Sequence, residues 1–235
     1  MICLSQLRAS LDEDGYAMVP NVFAGLACDA LLRALLEIDH EDDRRRGGLR
    51  NLTDTTPAVA RAAEGPAIRE IIDTALSPSA FLVRAILFDK TPDANWLVPW
   101  HQDTTIAVDR RIDGLDGFGP WSIKAGVNHV RPPCRVLEQM VTVRLHLDDC
   151  PEDNGPLRVA TGSHRNGITD QCPHPEEAVT CPANRGDALA MRPLLWHAST
   201  KSDSPNHRRV LHLEFADVEL PPPLQWAVNR SRQSR

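Results

Sequence analysis

The sequence has no excess of positive charge and no long apolar segment. Its 26 Lys and Arg residues are outnumbered by 32 Asp and Glu residues, which gives a formal net charge of −6. A surface that follows nucleic-acid phosphates needs a basic excess, so the composition argues against a nucleic-acid partner. No run of about 18 apolar residues occurs, so we expect no membrane-spanning helix and no membrane partner.

The sequence also lacks paired cysteine motifs. Its six cysteines are scattered and form no C-x-x-C pair. Residues 1–14 contain no basic stretch followed by an apolar one, so they do not resemble an export signal. Reduced thiols are the default for a cytosolic protein, so we expect free cysteines and a cytoplasmic location.

No internal repeat, low-complexity tract or long linker divides the chain. A length of 235 residues suits one well-buried domain, so we predict a single domain over residues 1–235. Its N-terminal part, about residues 1–78, has helical spacing of apolar residues over 26–38 and over 57–76, with a break at Gly65-Pro66. The charged run at 41–46 between these segments is typical of a solvated loop.

Short apolar runs bounded by Pro, Gly, Asn and Asp predominate after Pro78. A strand is also predicted earlier, over residues 16–20. The later predicted strands cover residues 81–88, 141–147, 157–160, 188–191 and 210–215. Helices followed by many short strands favour a mainly β core with flanking helices. We predict a double-stranded β-helix, a cupin-like jelly roll, over about residues 79–217.

Histidine and aspartate occur in a pattern that suits a metal. A mononuclear Fe(II) oxygenase needs two imidazoles and one carboxylate on one side of the ion, with the other side open. A His-x-Asp pair on an extended strand supplies two of these ligands, because residues i and i+2 point the same way. The sequence contains three such pairs: His40-Glu-Asp42, His101-Gln-Asp103 and His146-Leu-Asp148.

The middle pair is favoured on physical grounds. The first pair ends a predicted helix, where residues i and i+2 do not share a face. The third lies on a credible strand and is the serious alternative, although Asp148 could simply begin an acidic turn. His101 comes directly after an apolar run, residues 96–100, that would shield a metal from bulk water. The chain from Asp103 to His197 then has room for about five strands.

His197 is the candidate third ligand because two arginines come soon after it in the sequence. A dicarboxylate co-substrate needs a cation at its far end, and arginine provides a planar bidentate fork. Arg208 and Arg209 begin the next predicted strand, where they would point to opposite faces. Only one of them can therefore serve, and the residue pattern leaves the choice open.

Taken together, the ordered motifs resemble the phytanoyl-CoA dioxygenase family. The resemblance extends from Asp14 to Phe215. Thr161 stands where the family often has proline, a change that we interpret as structural. The motifs are Trp100-His-Gln-Asp103, Asn154-Gly-Pro-Leu157, Thr161-Gly-Ser-His164, Trp196-His197 and Arg208.

The resemblance implies both a fold and a reaction. It implies a jelly roll that uses Fe(II), 2-oxoglutarate and O2 to hydroxylate a small molecule, with release of succinate and CO2. By position, His101, Asp103 and His197 would be the metal ligands. Arg208, eleven residues after His197, would bind 2-oxoglutarate. The intact Asp103 carboxylate disfavours halogenation, because related halogenases have a small residue there.

Weaker candidates come from strand parity and from position. Thr142, Arg144 and His146 share one face of the predicted strand over 141–147. That face could line the cavity, with Thr142 a 2-oxoglutarate contact and Arg144 and His146 substrate contacts, or it could be a polar strip facing solvent. Gln102 and Lys90 flank the first ligand pair and are candidate co-substrate contacts. Arg50-Asn51, after Gly47-Gly48, is a candidate lid and substrate contact.

Two other functions use the same residues. The triad could hold zinc or another divalent metal in a hydrolase or isomerase, or the histidines could be structural in a cupin-like binding module without activity. Arginines expected near the pocket, Arg84, Arg144 and Arg158, suggest a polar or anionic small-molecule substrate. Neither the identity of the substrate nor the oligomeric state can be deduced from the sequence.

Overall fold

The computed structural model describes residues 4–37 and 48–228. Within them, the helices are α1 (Leu4–Glu13), α2 (Gly25–Leu36), α3 (Leu52–Thr55), α4 (Pro57–Ala63), α5 (Pro66–Ala75) and α6 (Cys134–Leu137). Single 3-10 turns cover Glu152–Asn154, Ser163–Asn166 and Pro175–Glu177. None of the helices in this part of the chain is long and apolar enough to cross a membrane.

Thirteen strands occur in the same described ranges. The first seven are β1 (Tyr16–Val19), β2 (Gly48–Leu49), β3 (Phe81–Lys90), β4 (Val98–His101), β5 (Ile106–Val108), β6 (Trp121–Lys124) and β7 (Val127–Val130). The other six are β8 (Met140–His146), β9 (Leu157–Val159), β10 (Val179–Cys181), β11 (Ala188–Met191), β12 (His197–Ser199) and β13 (Arg208–Ala216).

The strands form three antiparallel sheets. The large sheet has the order β1-β11-β8-β13-β3-β2, and the small sheet has the order β10-β9-β12-β4. Leu157 and Val159 of the small sheet pack with Leu189 and Met191 of the large sheet in one buried cluster. The two sheets therefore face each other as the predicted jelly roll. The third sheet, β5-β7-β6, is a separate short meander.

The helices cover the outer face of the large sheet. One buried cluster joins Leu7 of α1, Leu35 of α2 and Ile72 of α5 to Val143 of β8 and Leu213 of β13. Each fully buried aliphatic side chain stabilises the fold by about 1.5–3 kcal/mol relative to its exposed state. The helical layer therefore holds the large sheet in place and leaves the sheet's other face for the interior.

The helical part of the sequence prediction agrees with the structure at its main break. Pro57 and Pro66 each occupy the first turn of a helix, where the missing N–H costs nothing, and Gly65 separates α4 from α5. The N-terminal part is nevertheless not purely helical, because β1 and β2 both join the large sheet. The predicted solvated loop at 41–46 lies outside the described residues.

Strand β8 departs from its prediction in one respect. The alternation over 141–147 predicted a half-buried strand, but every residue of β8 is buried. Val141, Val143 and Leu145 face the helical layer. Thr142, Arg144 and His146 face the space between the two sheets. The alternative of a solvent-facing polar strip is wrong, because the small sheet covers this face.

Candidate active site

Two adjacent strands of the small sheet bring two histidines together. His101 ends β4 and His197 begins β12, and the two residues are directly paired across these antiparallel strands. Their ring centroids lie 4.1 Å apart, with an angle of 53° between the ring planes. Two residues that are far apart in the sequence are thus placed side by side by the strand register.

Asp103 completes the group from just beyond β4. Its backbone N–H donates to the carbonyl of Pro193 over 2.9 Å, which fixes the chain after the strand. Its Oδ1 lies 3.9 Å from Nε2 of His101, and its Oδ2 lies 3.8 Å from Nε2 of His197. Since metal–nitrogen and metal–oxygen bonds are about 2.0–2.2 Å long, one ion can bridge both separations.

The hydrogen bonds of the two imidazoles leave the metal-facing nitrogens free. Nδ1 of His101 lies 2.9 Å from the carbonyl of Pro99, and Nδ1 of His197 lies 2.8 Å from the carbonyl of Leu195. A carbonyl only accepts, so each Nδ1 carries the proton and each Nε2 offers a lone pair. Among the described residues, Oδ2 of Asp103 is a buried oxygen without a hydrogen-bond partner.

The local electrostatics favour the ionisation state that a metal requires. Burial would raise the pKa of Asp103, but the nearby His197, His212, His101 and Arg84 outweigh burial and lower it to about 2. Burial lowers the pKa of His197 to about 4, although the Asp103 charge opposes this shift. At neutral pH the group offers one carboxylate and a neutral His197 imidazole, a donor set that fits a divalent metal.

The rival pair of His146 and Asp148 does not form such a group. Both oxygens of Asp148 bind the guanidinium of Arg209 at 2.7 Å, so its charge is already neutralised. The same pairing shows that Arg209 points away from the cavity. His40 and Asp42 lie outside the described residues.

A cavity of about 490 Å³ opens directly onto the three side chains. Its lining includes the apolar side chains of Ile86, Phe88, Trp96, Leu97, Val98, Pro99 and Leu157. Besides these three side chains, the charged lining residues are Arg50, Arg84, Lys124, Arg144, Arg208 and Glu214, and the imidazole of His212 also lines the cavity. The volume lies within the range of about 300–1,000 Å³ that is typical of small-molecule sites.

Arg208 occupies one end of this cavity. It is 3% exposed, and its guanidinium donates a short hydrogen bond to the carbonyl of Gly155. Its Nε is buried and has no partner among the described residues. Gly155 has a φ of +58°, and a Cβ there would meet the carbonyl of Thr200 at 2.8 Å. Only glycine lets this loop pack so closely against the backbone of Thr200 and Lys201.

Lys90 lies next to Arg208 but behind the cavity wall. It is fully buried, and its Nζ donates to Oγ of Ser199 over 3.0 Å and to the carbonyl of Thr200 over 2.5 Å. Burial and the neighbouring Arg208 lower the pKa of Lys90 to about 7. Ser199, which lines the cavity, was not singled out in the sequence, although it lies two residues after His197 and shares its strand face.

A buried polar chain crosses the large sheet opposite the three side chains. Arg144 donates to Nδ1 of His212 over 3.1 Å, which places the histidine proton on Nε2, and Nε2 donates to Glu214 over 3.2 Å. Arg84 pairs with the same Glu214 oxygen at 3.0 Å. Sequence reasoning missed His212 and Glu214. Both share strand parity with Arg208, and that signal could have found them.

The weaker sequence candidates divide into two sets. Arg50 and Arg144 line the cavity, as does Arg208, while Thr142 and His146 are buried beside the wall without lining it. Asn51 is also outside the lining and donates to the carbonyl of Ala125 over 3.1 Å.

Gln102 has a structural position. Its amide nitrogen donates to the carbonyls of Gly167 and Leu194, and its oxygen accepts from the N–H of Thr169. These hydrogen bonds use the amide that was expected to contact the co-substrate, and they hold the loop around Asp103 in place. Residue 102 points opposite to residues 101 and 103.

Known proteins resemble this chain in sequence and in fold. A family model described as phytanoyl-CoA dioxygenase (PhyH) matches residues 11–210. The chain belongs to the phytanoyl-CoA dioxygenase family. This family member is 27% identical over 150 residues to the protein named dioxygenase olcK of Penicillium canescens, a match that covers 62% of the chain and 46% of olcK. The match therefore spans less than half of that relative.

Solved structures support the same fold for this family member. The epimerase SnoN in complex with Fe3+, alpha ketoglutarate and nogalamycin RO superposes with a TM-score of 0.66 at 20% identity, over 91% of this chain and 83% of SnoN. EctD from S. alaskensis in its apoform superposes with a TM-score of 0.68 at 18% identity, over 97% of this chain and 87% of EctD. At these identities the likeness establishes the jelly-roll fold.

Proposed function

We propose that this chain is an Fe(II)- and 2-oxoglutarate-dependent dioxygenase that uses O2 to hydroxylate a small molecule, releasing succinate and CO2. The observation that carries the proposal is the meeting of His101, Asp103 and His197 at the wall of the cavity. Each imidazole is fixed through Nδ1, and both Nε2 atoms and the carboxylate remain available. Family membership and the iron and alpha ketoglutarate held by SnoN support the choice of metal and co-substrate.

The side chains take distinct roles in this proposal. His101, Asp103 and His197 hold the iron from one side, and Arg208 pairs with the far carboxylate of 2-oxoglutarate through its unpartnered Nε. When bound, iron would activate O2, and 2-oxoglutarate would supply two electrons as it is converted to succinate and CO2. One oxygen atom of O2 would enter succinate, and the other would convert a substrate C–H bond to C–OH. The apolar wall at Trp96 keeps water from the reacting groups.

Other residues support the co-substrate end without lining it. Lys90 holds Ser199 and the Thr200 carbonyl, so it sets the floor against which 2-oxoglutarate lies. Thr142 and Gln102 act in the same indirect way, through packing and loop position. Arg144, His146, Arg50 and Asn51 remain the candidate substrate-side residues, and of these Arg144 and Arg50 reach the cavity.

We also place the protein in the cytoplasm. In support, the five cysteines of the described ranges are all free.

Succinate formation tests the proposed reaction. Protein loaded with Fe(II) under air, given 2-oxoglutarate and a panel of small molecules, should form succinate and, with the right compound, a product heavier by one oxygen in mass spectrometry. His197→Ala should abolish both, and His174→Ala, a change at an exposed histidine outside the cavity, should change neither. Substrate conversion without succinate would instead indicate the hydrolase or isomerase alternative.

A further inference from the structure

The cavity carries more positive charge than its proposed contents neutralise. Five cations line it against two acids, Asp103 and Glu214. Glu214 is already paired with Arg84. A divalent ion and a 2-oxoglutarate dianion cancel each other, and Asp103 balances Arg208. Arg144 and Lys124 then remain, even if Arg50, which has contacts of its own, is left out. A cationic pocket of this kind concentrates anions.

Of these two cations, Lys124 lies toward solvent. It is exposed, as is the lining residue Leu97, so the two mark the mouth of the cavity. Arg144, in contrast, is 6% exposed and already contacts His212. An incoming molecule therefore meets Lys124 first.

The backbone holds Lys124 in a defined place. It is the last residue of β6, and Ala125 (φ 47°) and Gly126 (φ 77°) form the two-residue turn into β7. Such turns fix the strand register. The Asn51 side chain donates to the carbonyl of Ala125, which ties this turn to the segment that carries Arg50.

The ammonium group of Lys124 has room for another partner. Its Nζ donates to Oγ of Thr105 over 2.9 Å, and within the described part of the chain no carboxylate lies within 4.0 Å of it. An ammonium has three donors, so further hydrogen bonds can form. Thr105 lies two residues after Asp103 and also lines the cavity, which places the Lys124 side chain on the same side as the three candidate ligands.

The rest of the lining limits the size and polarity of the substrate. Besides the charged side chains and the three candidate ligands, the wall includes the apolar side chains of Ile86, Trp96 and Leu97. The 490 Å³ must also contain the co-substrate, so only a small molecule fits beside it. Such a wall suits an apolar body, whose burial contributes about 25 cal/mol per Å².

We infer that the substrate is a small carboxylic acid with an apolar body, and that its carboxylate is bound by Lys124 at the mouth of the cavity. This inference rests on the proposed function, since it assumes that 2-oxoglutarate occupies the Arg208 end. One ammonium group at the mouth matches a monoanion, so a carboxylate is chosen over a phosphate ester, which carries about −1.5 to −2 charges at neutral pH.

Calorimetric titration with matched probes tests the inference without turnover. The protein is first loaded with Mn(II) and saturating 2-oxoglutarate, and the uptake of both is measured. It is then titrated with 3-phenylpropionate, hexanoate, their primary amides and 2-phenylethyl phosphate. We expect each acid to bind about tenfold more tightly than its amide, and Lys124→Gln to reduce the preference to about twofold. Lys201→Gln, a change at an exposed lysine outside the cavity, is the matched control.

The outcomes separate the two proposals. Acids and amides that bind alike, acids that fail to bind, a preference that survives Lys124→Gln, or a phosphate ester that binds best would each overturn the carboxylate assignment while 2-oxoglutarate still binds. Failure to take up Mn(II) and 2-oxoglutarate would overturn the proposed function, and the assignment with it. Lys124→Arg should keep the preference for acids, which separates loss of charge from loss of fold.

Discussion

The residues that line the cavity include three buried polar atoms without a partner within the described residues: Oδ2 of Asp103 and the Nε atoms of Arg144 and Arg208. A buried polar group that lacks a hydrogen bond costs about 1–3 kcal/mol, so folding alone does not favour such a group. Because all three atoms belong to residues that line one cavity, we infer that a bound metal and bound anions would be their partners.

Arg208→Lys tests the residue assigned to the co-substrate. Lysine keeps the charge but loses the planar fork, so we expect 2-oxoglutarate affinity to fall about tenfold or more while Mn(II) affinity is unchanged. Calorimetric titration of the Mn(II)-loaded protein measures both. Arg111→Lys, at an exposed arginine paired with Asp113, serves as the control. Equal 2-oxoglutarate affinity in the wild type and Arg208→Lys would show that the Arg208 guanidinium does not bind the co-substrate.

Only some of the site residues could be predicted from the sequence. His101, Asp103 and His197 occur in a spacing that the chemistry of a metal site restricts strongly. Lys124 gave no such signal, because its position depends on how the β6–β7 hairpin packs on the jelly roll.

At the scale of elements, strand β8 shows that the sequence can predict which side chains share a face of a strand without predicting whether that face is buried. The alternation of the sequence correctly placed Thr142, Arg144 and His146 on one face. It did not show that this face is also buried. The sheet that covers the face consists of strands of three or four residues, and such strands are hard to recognise in the sequence. Strands this short, such as β9 and β12, contain too few residues for a period to be measured.

The buried His146 gives β8 a pH-dependent contribution to stability. Burial, Arg144 and Arg208 lower the pKa of His146 to about 3, far below its ordinary value. When the pH falls below about 6.5, His146 is protonated in the unfolded chain but stays neutral in the folded chain. The free energy of unfolding therefore decreases. From pH 7 to pH 5 this one group should lower the free energy of unfolding by about 2 kcal/mol.

Urea unfolding at several pH values measures this contribution. His146→Gln should flatten the decline between pH 7 and pH 5, whereas His174→Gln, at an exposed histidine, should leave it as in the wild type. An unchanged decline in His146→Gln would show that His146 is protonated in the folded protein.

At the scale of the whole molecule, the jelly-roll prediction depended mainly on the order of helices and strands along the sequence. Helices followed by many short strands predicted a jelly roll with a helical layer, and the packed large and small sheets confirm it. The separate sheet β5-β7-β6 was not predicted. Its residues lie between Asp103 and β8, a region rich in turn residues where no strand period stands out. This sheet carries Lys124, so the unpredicted part of the fold includes the proposed substrate-binding residue.

The most direct test of the metal centre is Mn(II) binding followed by electron paramagnetic resonance. The wild type should bind one Mn(II) per chain in the presence of 2-oxoglutarate. The double variant His101→Ala/His197→Ala should lose this binding, whereas His174→Ala, which breaks the exposed group of His174, Glu176 and Glu177, should retain it. Mn(II) bound by the double variant with wild-type affinity would contradict a metal centre formed by His101, Asp103 and His197.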